Sequence, residues 1–294
     1  MSLDRNETLG LIGVGRMGMG MLINLLKRFQ VYIFDINKER VRMAVEKGAK
    51  EVESLEQLVG YVDHVILSLP GPDEVRSVVN ELLSYKFNGT IIDTSTIVPD
   101  TSEEIFEKSS ARGVKYIAAP VSGGEKGAQR GELSIFVGAP EHKGTKLDEI
   151  LHLIGKNIFY VNSPRIASAI KLINNLMTFG NFFVATEALA LAKAESIPLD
   201  VIYNAISTSS GYSRSYELRW KNYVSVNNYE PGFSIKLVKK DINLMIKMAK
   251  KHNLSLIIPH LLLYIFDHIP QDESKDYGLL MKIYLDYAEK GDMK

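Results

Sequence analysis

Three groups of residues in this sequence have types and spacings that can do chemistry. Gly13-Val14-Gly15-Arg16-Met17-Gly18 spaces its glycines as G-x-G-x-x-G after an apolar run and before a helical pattern, and Asp35 stands about 20 residues beyond Gly15. In that context Gly13 permits a tight turn, Gly15 lets a pyrophosphate approach the backbone, and Gly18 lets helix pack on strand. The first amides of the helix, at Arg16, Met17 and Gly18, supply free donors and a partial positive charge. The pattern predicts a bound dinucleotide. Asp35 then selects which one, because its carboxylate accepts from ribose hydroxyls but repels the roughly two charges of a 2′-phosphate by several kcal/mol at an effective dielectric near 20. NAD is expected over NADP, with Lys38 and Arg40 offsetting part of the repulsion.

The second group falls where two later strands end, in Asp93-Thr94-Ser95-Thr96-Ile97-Val98-Pro99 and in Ala119-Pro120-Val121-Ser122-Gly123-Gly124, followed by Gly127 and Gly131. Ser122, Gly123 and Gly124 offer a hydroxyl and unhindered backbone amides suited to a carboxylate; a turn that needs glycine for its backbone angles is the other reading. The third group is Lys171 and Asn175, four apart and so on one face of a helix, beside Ile170, Ile173 and Met177. Such a lysine either snorkels, stem on the core and head in water, or serves as an acid/base group in a cleft, its pKa lowered by burial or a second cation. Lys240-Asp241 offers that cation, although Lys236, Lys239, Lys240, Lys247 and Lys250 also read as the solvated face of a helix. The six histidines, His64, His142, His152, His252, His260 and His268, show no H-E-x-x-H spacing, and no metal site is expected.

The elements that must position these groups alternate. Strands are predicted at Leu9–Val14, Gln30–Phe34, His64–Leu69, Thr90–Asp93, Val114–Ala119, Leu133–Gly138 and Asn157–Val161, with helices between them. That order predicts an α/β fold, a Rossmann-like doubly wound and mostly parallel sheet. After Pro164 the texture becomes helical: Ile166, Ile170, Ile173, Met177, Phe183 and Ala188 mark a stripe, and further helices are predicted at Leu199–Ser207, Ile235–Lys251 and His260–His268. The expected domains are residues 1–162, binding the dinucleotide, and an all-α C-terminal domain over 163–294. A long interdomain helix, about 164–193, joins them. The apolar window Leu176–Ala192 contains Asn181 and Glu187 and reads as a buried helix rather than a membrane span.

Composition narrows the class. The 294 residues suit two domains, 46% are hydrophobic, and Lys+Arg and Asp+Glu are both 35. Zero net charge lacks the electrostatic footprint of a nucleic-acid or anionic-membrane binder, so neither partner is expected. With no cysteine, disulfides, thiolate zinc and a Cys nucleophile are all excluded; a reducing compartment, by default the cytoplasm, is consistent with this.

The motifs, in their order along the chain, resemble the β-hydroxyacid dehydrogenases, the family of 3-hydroxyisobutyrate dehydrogenase. The resemblance runs nearly end to end: the nucleotide loop with Met19-Gly20-Met21 and Asn24-Leu25, the 93–99 and 119–124 segments, Lys171 with Asn174-Asn175, Ser209-Ser210-Gly211 and Lys240-Asp241. It implies a homodimer or homotetramer acting on a small carboxylate substrate. It also implies Lys171 as the acid/base, Asn175 orienting substrate, Ser122, Gly123 and Gly124 holding its carboxylate, and Leu69, Pro70, Thr96 and Lys240 lining the nicotinamide side. The chain departs from the family at Ala118, where an acid is usual, at Arg165 and Ala167, where Gly-x-Gly is usual, and at Arg214, where an aromatic is common. Arg165 or Arg214 is therefore a candidate to recognise a second anionic group. The rival expectations are a phosphogluconate-type oxidative decarboxylase, whose helical domain is normally much larger, and a non-catalytic dinucleotide-binding interaction module.

Overall fold

The apolar runs at 9–14, 30–34, 64–69, 90–93 and 114–119 become strands with residues buried on both faces, as a parallel sheet requires. In the computed structural model, residues 7–141, 144–229, 232–268 and 272–290 are described; His142 lies outside them. The chain divides into two units, residues 1–172 and 173–294.

In the first unit β1 (Thr8–Ile12), β2 (Gln30–Phe34), β3 (Lys50–Glu51), β4 (His64–Leu67), β5 (Thr90–Asp93) and β6 (Lys115–Ala118) form one sheet in the order β3-β2-β1-β4-β5-β6, every pair parallel. Side chains alternate between its faces. Leu9, Leu11, Val31, Ile33 and Ile66 enter one buried cluster, and Ile12, Tyr32, Val65, Leu67 and Ile91 enter another. The helices α1 (Arg16–Leu25), α2 (Lys38–Glu46), α3 (Leu55–Tyr61), α4 (Pro72–Ser84) and α5 (Pro99–Ser110) separate the strands in sequence.

The later strands do not extend this sheet. β7 (Val121–Ser122), β8 (Leu133–Val137) and β9 (Gly155–Tyr160) form a separate three-stranded sheet in which β7 and β8 run antiparallel. Between them lie α6 (Gly124–Arg130), a helix that its glycines hid from a sequence reading, and α7 (Lys146–Ile154).

α8 (Pro164–Ala194) carries the last residues of the first unit and the first of the second. Among the described residues no helix is long and apolar enough to cross a membrane. The expected buried helix needs correction, however. Phe179, Phe182, Phe183 and Leu189 face inward, whereas Ile166, Ile173, Met177 and Ala188, four of the six stripe residues, are exposed together with Val184 and Leu191. The helix is apolar on two sides, and hydrophobic periodicity alone does not say which side meets the core. The second unit continues with α9 (Leu199–Ser207), α10 (Arg214–Arg219), a π-helical turn (Trp220–Val224), α11 (Ile235–Lys251), α12 (Ile257–His268) and α13 (Leu279–Lys290).

Candidate active site

Sheet register sets the first part of the site. Ile12 pairs with Phe34 and with Leu67, Leu67 with Asp93, and Asp93 with Ala118, so the last residues of β2, β1, β4, β5 and β6 form one row. Just beyond that row lie Gly13 after β1 and Asp35 after β2, singled out by type and spacing, and Leu69 and Pro70 after β4 and Thr96 after β5, which the family resemblance implied. Strand order reverses between β1 and β4, and in doubly wound sheets such a switch point opens the crevice that holds the ligand.

The three glycines have three different reasons. Gly13 has φ +90°, and a Cβ there would stand 2.3 Å from the Ser68 carbonyl oxygen. A Cβ on Gly18 would stand 2.0 Å from the Gly13 carbonyl oxygen, so both positions are closed by the protein's own backbone. At Gly15 the nearest atom to such a Cβ is Arg40 Nη1, at 3.7 Å. The space before Gly15 is open, as a cradle for a pyrophosphate requires. Among the described residues no side chain caps α1 and no acid occupies its first turn, which leaves the amides of exposed Arg16, half-buried Met17 and Gly18 for an anion.

Asp35 is 9% exposed and held from both sides. The Val14 amide donates to its Oδ2 and the Asn37 amide to its Oδ1, each at 2.8 Å. The carboxylate is thereby fixed beside the glycine loop, with lone pairs left for ribose hydroxyls. These residues fit a dinucleotide.

The 93–99 segment is braced in the same way. The Leu69 amide donates to Ser95 Oγ (3.0 Å), the Ser95 amide to Asp93 Oδ1 (2.9 Å) and the Tyr116 hydroxyl to Asp93 Oδ2 (2.7 Å). Burial, with the Asp93 carboxylate beside it, holds the Tyr116 phenol well above its usual pKa, so it remains a neutral donor. Ser95 and Asp93 tie the ends of β4 and β5 together, and Thr96 is left half-buried beside them.

Half-buried Ser122 ends β7, and the exposed Gly123 and Gly124 have φ +138° and +66°. Both glycines are therefore needed for backbone conformation, whatever else they do. Buried Asn24 holds this segment against α1: its Nδ2 donates to the carbonyls of Ala128 (2.8 Å) and Gln129 (3.1 Å).

Arg165 is not available for a second anionic group. Its Nη1 lies 2.5 Å from Asp100 Oδ1 and 2.8 Å from Glu103 Oε2, and two carboxylates on one guanidinium leave a net negative locality. Arg214 is exposed at the start of α10.

Lys171 is half-buried near the end of the first unit, and Asn175, one turn along α8, lies just inside the second. Asn175 Nδ2 donates to Asp241 Oδ2 (2.7 Å), and Lys240 Nζ pairs with Asp241 Oδ1 at 2.8 Å. Lys240 is thus not on a uniformly solvated face, and neither is Lys239, which pairs with Asp267 and Glu273. Asp241, 2% exposed, was named from the sequence only beside Lys240 and given no role of its own. Its signal was available: Val238, Asp241, Ile242 and Met245 follow the core-facing spacing of α11, and an acid in that series requires a partner.

Residues 8–162 match the family model for the NAD binding domain of 6-phosphogluconate dehydrogenase, and residues 166–279 match that for the NAD-binding of NADP-dependent 3-hydroxyisobutyrate dehydrogenase. The chain belongs to the β-hydroxyacid dehydrogenase family. It is 32% identical over 270 residues to the 2-(hydroxymethyl)glutarate dehydrogenase of Eubacterium barkeri, covering 90% of each chain. It is 31% identical over 289 residues to the 3-hydroxyisobutyrate dehydrogenase of Pseudomonas aeruginosa, covering 93% of this chain and 97% of that one. The solved 3-hydroxyisobutyrate dehydrogenase of Mycobacterium tuberculosis, in a structure with L-serine, shares the fold at a TM-score of 0.84 and 23% identity, over 94% of this chain and 98% of that one. This β-hydroxyacid dehydrogenase is accordingly an NAD(P)-dependent hydroxyacid dehydrogenase with a Rossmann-like domain.

Proposed function

We propose that this chain interconverts a small 3-hydroxy acid, of the 3-hydroxyisobutyrate kind, and its semialdehyde, with NAD as hydride partner and Lys171 as general acid/base, in a homodimer or homotetramer. The observation that carries the reading is the row of strand ends, where an open cradle at Gly15, free α1 amides and a fixed carboxylate at Asp35 adjoin the switch point. Gly13, Gly15, Arg16, Met17, Gly18 and Asp35 hold the adenosine and pyrophosphate, and Leu69, Pro70, Thr96 and Lys240 line the nicotinamide side. Residues 1–162 bind the dinucleotide, and the helical domain over 163–294 supplies the rest.

A nicotinamide held by these residues would supply the hydride acceptor or donor; the chain's own residues handle the proton and the charge. In the oxidative direction neutral Lys171 Nζ takes the substrate hydroxyl proton, and in reduction its ammonium returns it. Asn175, its amide fixed by Asp241, orients the substrate, and Ser122, Gly123 and Gly124 receive the carboxylate. With Arg165 engaged by two carboxylates, exposed Arg214 is the arginine left as a candidate for a second anionic group.

NAD is favoured over NADP by magnitudes. A 2′-phosphate beside the fixed, buried Asp35 costs several kcal/mol at an effective dielectric near 20, whereas the attraction of solvent-exposed Arg40 is worth about 1 kcal/mol.

Initial rates with NAD(H) and NADP(H), against 3-hydroxy acids and semialdehydes that include dianionic members, test the reading. Turnover is expected with NAD(H), and a preference for dianions points to Arg214. Preference for NADP(H) overturns the Asp35 argument, and silence across the panel leaves the dinucleotide-binding module. Lys171→Ala should lower kcat by at least about a hundredfold with dinucleotide binding kept; near-normal turnover removes its role.

A further inference from the structure

Besides Asp241, one more acid of the second unit is buried among the described residues. Asp276 is 4% exposed, and its carboxylate takes three backbone amides. The Gly232 amide donates to Oδ2 at 2.7 Å, the Phe233 amide donates to the same oxygen, and the Gly278 amide donates to Oδ1 at 2.7 Å. Backbone stitches the same two segments together. The Tyr277 amide donates to the Phe233 carbonyl (3.0 Å), the Ile235 amide to that of Lys275 (2.9 Å) and the Lys236 amide to that of Glu273 (3.0 Å). Ile235 and Lys236 open α11, so amides that a helix start leaves without an intrahelical partner go to 273–275. The beginning of α11 is fixed by the segment that Asp276 closes. Its counter-charge comes from α10. Arg219 lies over the rings of Phe182, Tyr223 and Tyr277 at 5.3, 4.9 and 5.3 Å, and its Nη1 donates to Tyr223 Oη at 2.6 Å. Tyr223 packs on the Asp276 turn so closely that a Cβ on Gly278 would stand 2.0 Å from its Cε1. Burial raises the Asp276 pKa above the usual carboxylate value, against the pull of the three amides and of Arg219. Tyr223 and Tyr277, pushed up by burial, stay neutral, which leaves Arg219 as the charge that faces the carboxylate.

We propose that Asp276 is a positioning residue for the reaction: by holding Gly232 and Phe233 it sets the start of α11, and through that helix the place of Lys240 and Asp241. Asp241 stands six residues after Ile235, about 9 Å along α11 at 1.5 Å per residue, where its Oδ2 accepts from Asn175. A shift of the first turn is passed along the helix to both side chains. Misplacing a reacting group by about 1 Å costs up to about a hundredfold in rate. A carboxylate is needed at 276 rather than any polar group, because three donors converge on its two oxygens and a side-chain amide offers only one acceptor oxygen. Asp276 acts only through α11. This inference rests on the roles given above to Asn175 and Lys240, and one of its readouts does not depend on turnover.

Asp276→Asn should lower kcat per folded molecule at least about tenfold and leave KM for NAD(H) within about threefold, because the glycine-loop cradle belongs to the first unit. Hydrogen exchange on the full chain should show peptides over 232–245 exchanging at least about tenfold faster, with those over 8–35 unchanged. Arg219→Met keeps the packing against the rings but removes the counter-charge, and it covers the case in which Asp276→Asn fails to fold. In the reductive direction protonated Lys171 governs the alkaline limb of kcat, so the acid limb reports Asp276. Without Arg219 the carboxylate takes up a proton at higher pH, and the acid limb should move up by about half a pH unit or more. A role in stability alone would lower the melting temperature while leaving kcat per folded molecule and the pH profile in place. That outcome, or exchange in α11 at the wild-type rate in Asp276→Asn, would overturn the proposal. If the wild-type chain turns nothing over, the functional reading fails, and the exchange data alone decide whether Asp276 sets α11.

Discussion

The two units hold their candidate-site groups by different means. In the first, backbone does most of the work: two amides fix Asp35, another donates to Ser95 Oγ, and the nucleotide loop is shaped by glycines that carbonyl oxygens hem in. In the second, Asn175, Asp241 and Lys240 fix one another through side chains. The surfaces differ in the same sense. Large exposed apolar residues of the first unit, such as Ile36, Met43 and Phe159, are scattered over separate elements, whereas those of the second crowd onto α8 and α12. The glycine loop excludes an added Cβ where carbonyl oxygens close it, at Gly13 and Gly18. A site built between helices depends on each side chain.

The sharpest way to break this comparison lies within the glycine loop. Gly18→Ala puts a Cβ 2.0 Å from a carbonyl oxygen, which forces the backbone to move and should cost about 3 kcal/mol or more. Gly15→Ala meets only a flexible arginine tip at 3.7 Å and should leave the melting temperature nearly unchanged while weakening dinucleotide binding at least about tenfold. Thermal melts with and without NAD separate the two effects. Equal losses of stability would mean that Gly15 serves the fold and not a ligand.

A smaller effect is expected in the helical unit. Asn175→Ala takes a donor from buried Asp241 and should destabilise by about 2 kcal/mol in urea unfolding. Combined with Asp241→Ala, the two costs should fall short of additive by about 1 kcal/mol or more. Strict additivity would show that the pair is not coupled, and the contrast drawn between the units would fail there.

How much was legible follows from the same contrast. Gln30–Phe34 and Thr90–Asp93 stand at the boundaries read from the sequence, because strands buried on both faces are short apolar runs stopped by turn residues. The glycine loop and Asp35 were legible because their spacing is dictated by a strand, a turn and a helix. α6 was hidden because glycine is a poor helix former, and here packing overrides propensity: Gly20 leaves room for Ala128, whose Cβ would be 2.8 Å from an added Cβ, and Asn24 bonds the helix carbonyls. The orientation of α8 was not legible because the stripe that periodicity found is largely the exposed one. Asp241 required a pairing between distant elements, and Arg165 required knowing that Asp100 and Glu103 face it.

The smallest expected effect asks whether the units are energetically separate. His64 opens β4, beside Thr90 of β5, with its Nδ1 buried and without a hydrogen-bond partner among the described residues. Burial, then the charge of Lys146 and, more weakly, of Lys115, against the opposing pull of Asp63, lowers its pKa from 6.5 to about 4. As pH falls through that window the unfolded chain takes up a proton that the folded first unit refuses, so stability is lost from about pH 6.5 down to about pH 4 and levels off below. The full shift corresponds to about 3 kcal/mol, and with His64 only half-buried a loss near 1 kcal/mol is expected. His64→Gln should flatten this slope in urea midpoints measured at pH 7 and pH 5. Trp220, the single tryptophan, lies in the second unit, so its fluorescence reads that unit while circular dichroism reads both. If the units unfold separately, the tryptophan midpoint stays in place as the first transition moves with pH. If both midpoints move together, the histidine is felt through α8, and the first unit's backbone-built stability is shared with the second.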